Sequence, residues 1–171
     1  MNKFRYFKND RQLIVGIGSA LVDILSHEED EFLRKTGAVK GGMTLVEKEH
    51  IDHTLGMSSG KPVLVPGGSA CNTIVGVGKL GGPARFVGKC GNGRMGKLIE
   101  NDLKMQNVDP MLFRSDSPTG RVLSIITPDA QRSMFTYLGA SAETQPEEIS
   151  AKCFEYYNET NCIHIAFSHW R

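Results

Sequence analysis

Gly67-Gly68-Ser69-Ala70-Cys71-Asn72-Thr73 places two glycines at the entry to a predicted helix and an asparagine about one turn inside it. Adjacent glycines let a ligand approach the backbone with no Cβ in the way, and a helix start presents N–H groups that lack intrahelical partners. Asn72 adds a side chain that both donates and accepts. This combination suits a polyhydroxylated ligand such as a sugar or a ribose, although the same residues would also make an ordinary strand-to-helix turn. The second candidate is Asp23, a carboxylate inside the apolar run Leu21-Val22-Asp23-Ile24-Leu25. A lone carboxylate there needs partners, and a pair of ligand hydroxyls would supply them; a helix cap or a salt bridge is the alternative.

Two further glycine-rich turns invite comparison with nucleotide-binding loops. Gly16-Ile17-Gly18-Ser19-Ala20-Leu21 begins like a dinucleotide fingerprint, but its third glycine would fall at Leu21 and the turn is incomplete. Gly91-Asn92-Gly93-Arg94-Met95-Gly96-Lys97-Leu98 comes within one residue of a phosphate loop, with a strand before it and a helix after it. Leu98 replaces the hydroxyl that should hold Mg2+ and fits an apolar helix face, so Gly96 and Lys97 read as helix positions; a P-loop nucleotide-binding protein is the lesser alternative. His50 and His53 lack a third metal ligand nearby and read as part of a solvated helix. Cys71, Cys90, Cys153 and Cys162 are widely spaced and read as small buried apolar residues. Asn158-Glu159-Thr160 fits a glycosylation triplet without a secretory context.

The elements that must position these groups alternate. A buried strand is predicted at 13–17 and the chain continues apolar over 21–25, then an acidic run (Glu28, Glu29, Asp30, Glu31) reads as a solvated face leading into a short helix. A short strand at 43–46, a helix at 47–55 and a Ser-Gly linker at 58–61 follow. Apolar Val63-Leu64-Val65 leads into the diglycine turn, and Ile74, Val77 and Leu80 recur at helical spacing until Gly81-Gly82-Pro83 stops the run. A buried strand at 84–90 and an amphipathic helix at 93–106, with Met95, Leu98, Ile99 and Leu103 on one side, complete a strand–helix alternation typical of parallel crossovers. Strands at 121–127 and 132–138 mix polar and apolar residues and are joined by Pro128-Asp129-Ala130-Gln131 as a hairpin with one wet face. A helix at 147–157 and a return to the buried sheet at 162–167 end the chain.

With 171 residues, 40% hydrophobic and 23% charged, the composition is that of a globular α/β domain with a proper core. A net charge of +1 gives no reason to expect nucleic acid or an anionic membrane as partner. No apolar run approaches a membrane span and the first ten residues lack a signal-peptide core, so the cytoplasm is the default location.

In order and spacing, these segments resemble the PfkB/ribokinase family of carbohydrate and nucleoside kinases, closest to its adenosine-kinase-like sugar kinases. The resemblance rests on Gly18-Ser19-Ala20-Leu21-Val22-Asp23, Gly41-Gly42-Met43-Thr44-Leu45-Val46, the diglycine segment with Leu80-Gly81-Gly82, and Phe86-Val87-Gly88-Lys89-Cys90-Gly91. Pro118-Thr119-Gly120-Arg121 and Thr127 to Ser133, leading into Thr136-Tyr137-Leu138-Gly139-Ala140-Ser141, extend it. It implies a ribokinase-like three-layer α/β domain, incomplete at its C-terminus, carrying a small β-sheet lid with strands near 40–47 and 118–140.

The resemblance further implies an ATP- and Mg2+-dependent transfer of the γ-phosphoryl group to a hydroxyl of a sugar or nucleoside. Asp23 and Asn72 match the family's hydroxyl-binding residues, and Gly67 and Gly68 match the diglycine at the lid hinge and substrate floor. Ser19 stands where adenosine kinases often carry an asparagine that helps read the base, and Ile74 stands where the family has a small residue. The family's general-base aspartate, anion hole and ATP pocket belong to a C-terminal half absent here, so the chain is expected to hold an acceptor and to be inactive alone. The rival expectation is a non-catalytic module that pairs, as a homodimer, through its lid strands or open sheet edge.

Overall fold

The computed structural model describes residues 13–153 and 160–166. In chain order its elements are β1 (Leu13–Gly18), β2 (Leu21–His27), α1 (Asp30–Thr36), β3 (Met43–Leu45), α2 (Lys48–Gly56), β4 (Val63–Gly67) and α3 (Ser69–Lys79). There follow β5 (Ala84–Gly91), α4 (Arg94–Met105), β6 (Val108–Ser115), β7 (Thr119–Ile126), β8 (Arg132–Gly139), α5 (Pro146–Cys153) and β9 (Thr160–Ala166). The end of the helix expected at 147–157, the glycosylation triplet up to Glu159, and the segments 1–12 and 167–171 lie outside the described residues.

β6, β5, β1 and β9 form one sheet in that order, and every pairing in it is parallel. Parallel sheets need cover on both faces, which is why β1 is an uninterrupted run without charge and the two cations of β5, Arg85 and Lys89, are ion-paired with Asp109 and Glu148. On one face Ala84, Phe86 and Cys90 pack with Cys71 and Ile74 of α3 and Ile99 and Leu103 of α4. On the other, Val15, Ile17 and Val87 pack with Ile149 of α5. The parallel crossovers expected from the alternation are present, as is the helix–sheet–helix layering implied by the resemblance. Ile74 fits because Gly16 lies directly opposite it on β1, where a Cβ would overlap the Ile74 side chain. Gly16 therefore serves helix–sheet packing.

The second sheet runs β3-β8-β7-β2-β4. β7 and β8 form the expected hairpin, antiparallel from Thr119↔Gly139 to Ile126↔Arg132, with the Thr127 N–H donating to Gln131 O at 3.0 Å across the turn. β2 and β4 join this sheet as well, β2 parallel to β7 and antiparallel to β4. On one face Ile24, Leu123, Ile125 and Phe135 are sealed by Phe32 and Leu33 of α1 and Ile51 of α2. Side chains alternate across a strand, so the register puts Asp23, Val65, Val122 and Thr136 together on the opposite face.

Three local readings change. β6 is a full edge strand that the sequence pattern did not reveal, because Asp109 and Pro110 interrupt it; an edge position tolerates the missing proline N–H. Leu80 does not join the buried face of α3 but is 88% exposed, since the helix ends at Lys79 and the chain turns away. Glu28 is not on a solvated face. It is 8% exposed and accepts hydrogen bonds from the hydroxyls of Ser26 (2.8 Å), Ser58 (2.5 Å) and Ser59 (3.0 Å), which pins the linker before β4 to the end of β2.

Candidate functional site

The chain passes between the two sheets at a few short steps, and the candidate residues sit on them. Ser19 and Ala20 connect β1 to β2, and Gly68 connects β4 to α3. Gly68 has φ +105°, a conformation side-chain-bearing residues rarely adopt, and a Cβ there would collide with the carbonyl oxygen of Ser19. The two crossings thus touch backbone to backbone, which demands glycine. One residue earlier, a Cβ on Gly67 would lie 2.6 Å from Asp23 Oδ2. The carboxylate rests across the bare backbone of Gly67, two residues along β2 from Leu21, the pairing partner of Gly67.

Asp23 is half-buried, and burial pushes its carboxyl pKa above the ordinary aspartate value of 3.8; the positive charge of Arg132 works against this without cancelling it. Arg132 shares the Asp23 face of the sheet, because it pairs with Ile126 and alternates with Met134 and Thr136. Among the described residues no group donates a hydrogen bond to Asp23. Asn72 lies in the first turn of α3, its N–H donating to Gly68 O at 2.9 Å, and its side chain is exposed. Beside it, burial pushes the Cys71 thiol up to about 12, helped by the negative charges of Asp102 and Asp23, so it is inert as a nucleophile. Ser19, Asp23, Gly67 and Gly68 are thereby brought together by direct contacts, with Asn72 one helical turn away. Arg132 was missed from the sequence; only the hairpin register brings it to bear on Asp23.

The remaining glycine turn behaves as its sequence suggested. Gly96 and Lys97 are helical positions in α4, and Gly96 is required because a Cβ would overlap Gly91 O at the end of β5. Leu98 packs against the core and Lys97 is exposed. Of the two histidines, His53 is exposed, whereas His50 stacks edge-on against Phe135 at 4.5 Å between ring centroids. Cys71 and Cys90 are buried free thiols. Among the described residues no three His, Cys, Asp or Glu side chains cluster. No helix among them is long and apolar enough to cross a membrane.

A carboxylate with no donor among the described residues is laid over a diglycine crossing between a four-stranded parallel sheet and a five-stranded mixed one. The pattern described as pfkB family carbohydrate kinase matches residues 20–169. The chain belongs to the pfkB family. Adenosine kinase from Sinorhizobium meliloti superposes with a TM-score of 0.81 at 32% identity, covering 91% of this chain and 47% of that one. A probable sugar kinase from Rhizobium etli gives 0.81 at 31%, covering 91% and 46%. In sequence, the chain is 28% identical over 158 residues to probable fructokinase-2 of Arabidopsis thaliana, covering 86% of this chain and 41% of that protein. The fold is therefore ribokinase-like α/β, and the chain spans less than half the length of these pfkB relatives.

Proposed function

We propose that this chain carries the acceptor-binding part of an ATP-dependent kinase that transfers the γ-phosphoryl group to a hydroxyl of a sugar or nucleoside. The observation that carries this reading is Asp23: a half-buried carboxylate with no donor among the described residues, set against a glycine that leaves room beside it. Relatives named fructokinase and adenosine kinase support the class of acceptor. Its two oxygens accept a pair of acceptor hydroxyls, and Asn72 completes the grip with one donor and one acceptor. The five-stranded sheet, carrying Val122 and Thr136 beside Asp23, closes over the acceptor and excludes water. ATP with Mg2+ supplies the phosphoryl group in this reading. No residue of this chain is assigned to hold either or to act as general base.

Calorimetric titration of the purified chain with fructose, ribose and adenosine tests the acceptor site. At least one binds, and Asp23→Asn weakens it about 10- to 100-fold, the loss of a charge-assisted pair of hydrogen bonds. Failure of all three to bind, or binding indifferent to the substitution, overturns the assignment. ATP-dependent phosphorylation by the 171-residue chain alone would overturn the placement of the catalytic groups elsewhere.

A further inference from the structure

The turn that the acceptor site leaves unused, Asn92 to Leu98, lines a cleft of about 890 Å3. The cleft does not contain Asp23. Its other walls are Leu64 of β4 and Arg121 of β7, and these alternate to the face of the five-stranded sheet opposite Asp23, since Leu64 pairs with Ile24 and Arg121 with Val22. It therefore lies behind the acceptor site, between α4 of one sheet and the back of the other.

Its lining has two parts. Met95 and Leu98 on α4, with Leu64 and Pro118, make an apolar wall. Lys48, Arg94, Lys97 and Arg121 face a single lining carboxylate, Asp116. Asp52 already neutralises part of this charge, holding Arg121 at 2.7 Å and Lys48 at 2.6 Å. Asp116 is engaged by the Asn92 amide at 3.4 Å. Arg94 and Lys97 are exposed and make no ion pair among the described residues. Such a volume suits a small organic ligand, and pockets of this kind pair an apolar body with a few oriented polar groups. Two unengaged cations beside an apolar wall select an anion attached to an apolar group, because a bare anion gains nothing from the wall and a neutral apolar molecule gains nothing from the charges.

We propose that this cleft is a second ligand site, which binds a phosphorylated small molecule carrying an apolar or aromatic group. The phosphate lies toward Arg94 and Lys97, and the apolar group against Met95, Leu98, Leu64 and Pro118. The site is separate from the acceptor site and uses none of its residues.

Phenyl phosphate is the probe, titrated into the 15N-labelled protein. Amide shifts are expected at Asn92 to Leu98 and at Thr119 to Arg121. Inorganic phosphate and phenol, each carrying half of the recognised chemistry, bind about tenfold or more weakly than phenyl phosphate. The double substitution Arg94→Ala/Lys97→Ala, at exposed positions that leave the core intact, weakens phenyl phosphate about tenfold or more and leaves acceptor affinity unchanged. Asp23→Asn does the reverse, so failure of this site and failure of the acceptor reading are told apart. Equal affinity for inorganic phosphate would reduce the cleft to simple charge attraction and overturn the proposal. So would shifts confined to other regions, or binding indifferent to the double substitution.

Discussion

The two faces of the five-stranded sheet use the same strands for opposite ends. On one, Ile24, Leu123, Ile125 and Phe135 are sealed beneath α1 and α2. On the other, the apolar clusters of the described residues stop short: Met43, Leu45 and Val63 remain 47%, 44% and 57% exposed, and Asp23 keeps a carboxylate with no donor among those residues. Alternation along a strand makes this division unavoidable, since each residue given to the core sends its neighbour to the other side. The lesson is that stability resides on one face, and that the opposite face is free to carry groups that folding alone would not select.

Substitutions on the two faces should separate these roles. The largest effect is expected from Phe135→Ala, which empties a buried aromatic site and costs about 3–5 kcal/mol in denaturant unfolding. Leu45→Ala, across the sheet and half exposed, costs less than about 1 kcal/mol. Equal losses would mean that both faces are sealed and would break the comparison.

Asp23→Asn is expected to stabilise the protein modestly while weakening acceptor binding. The sign follows from its raised pKa: the folded state holds the Asp23 proton more tightly than the unfolded chain, so stability is fullest below 3.8 and declines as pH rises through the raised value. Melting temperatures of the two proteins should therefore agree at a pH below that value and diverge in favour of the Asp23→Asn variant at neutral pH. In wild type, acceptor affinity falls as pH drops through the same window, because the protonated acid accepts fewer hydrogen bonds. A lower melting temperature for Asp23→Asn at neutral pH would show that the carboxylate has a structural partner.

Leu80→Ser probes the smallest effect. Since Leu80 is 88% exposed, its replacement should shift unfolding by no more than about 0.5 kcal/mol, and a larger loss would show that it belongs to an apolar contact after all.

Much of this division was legible in the residues. Gly67, Gly68, Asp23 and Asn72 stood out because their types suit hydroxyl binding, and the β7–β8 hairpin because its strands alternate around a Pro-Asp turn. What stayed hidden depends on register and neighbours rather than on local pattern. An apolar run such as Leu21 to Leu25 does not say which sheet it joins, so the membership of β2 and β4 emerged only from their pairing. Arg132 shares a face with Asp23, and its charge is felt there, only through three strands in correct register. Glu28 looked solvated because nothing nearby in sequence announces the serines from the following linker that satisfy it.

Pro110 has a consequence for how the four-stranded parallel sheet can extend. β6 forms one rim of that sheet, and a proline there leaves a gap in the row of donors that an incoming strand would need. The opposite rim, β9, pairs only with β1 among the described residues and its strand contains no proline. The sheet is in effect a zipper with one blunt end: a strand from another segment or another chain should add beside β9, with β6 as the fixed margin.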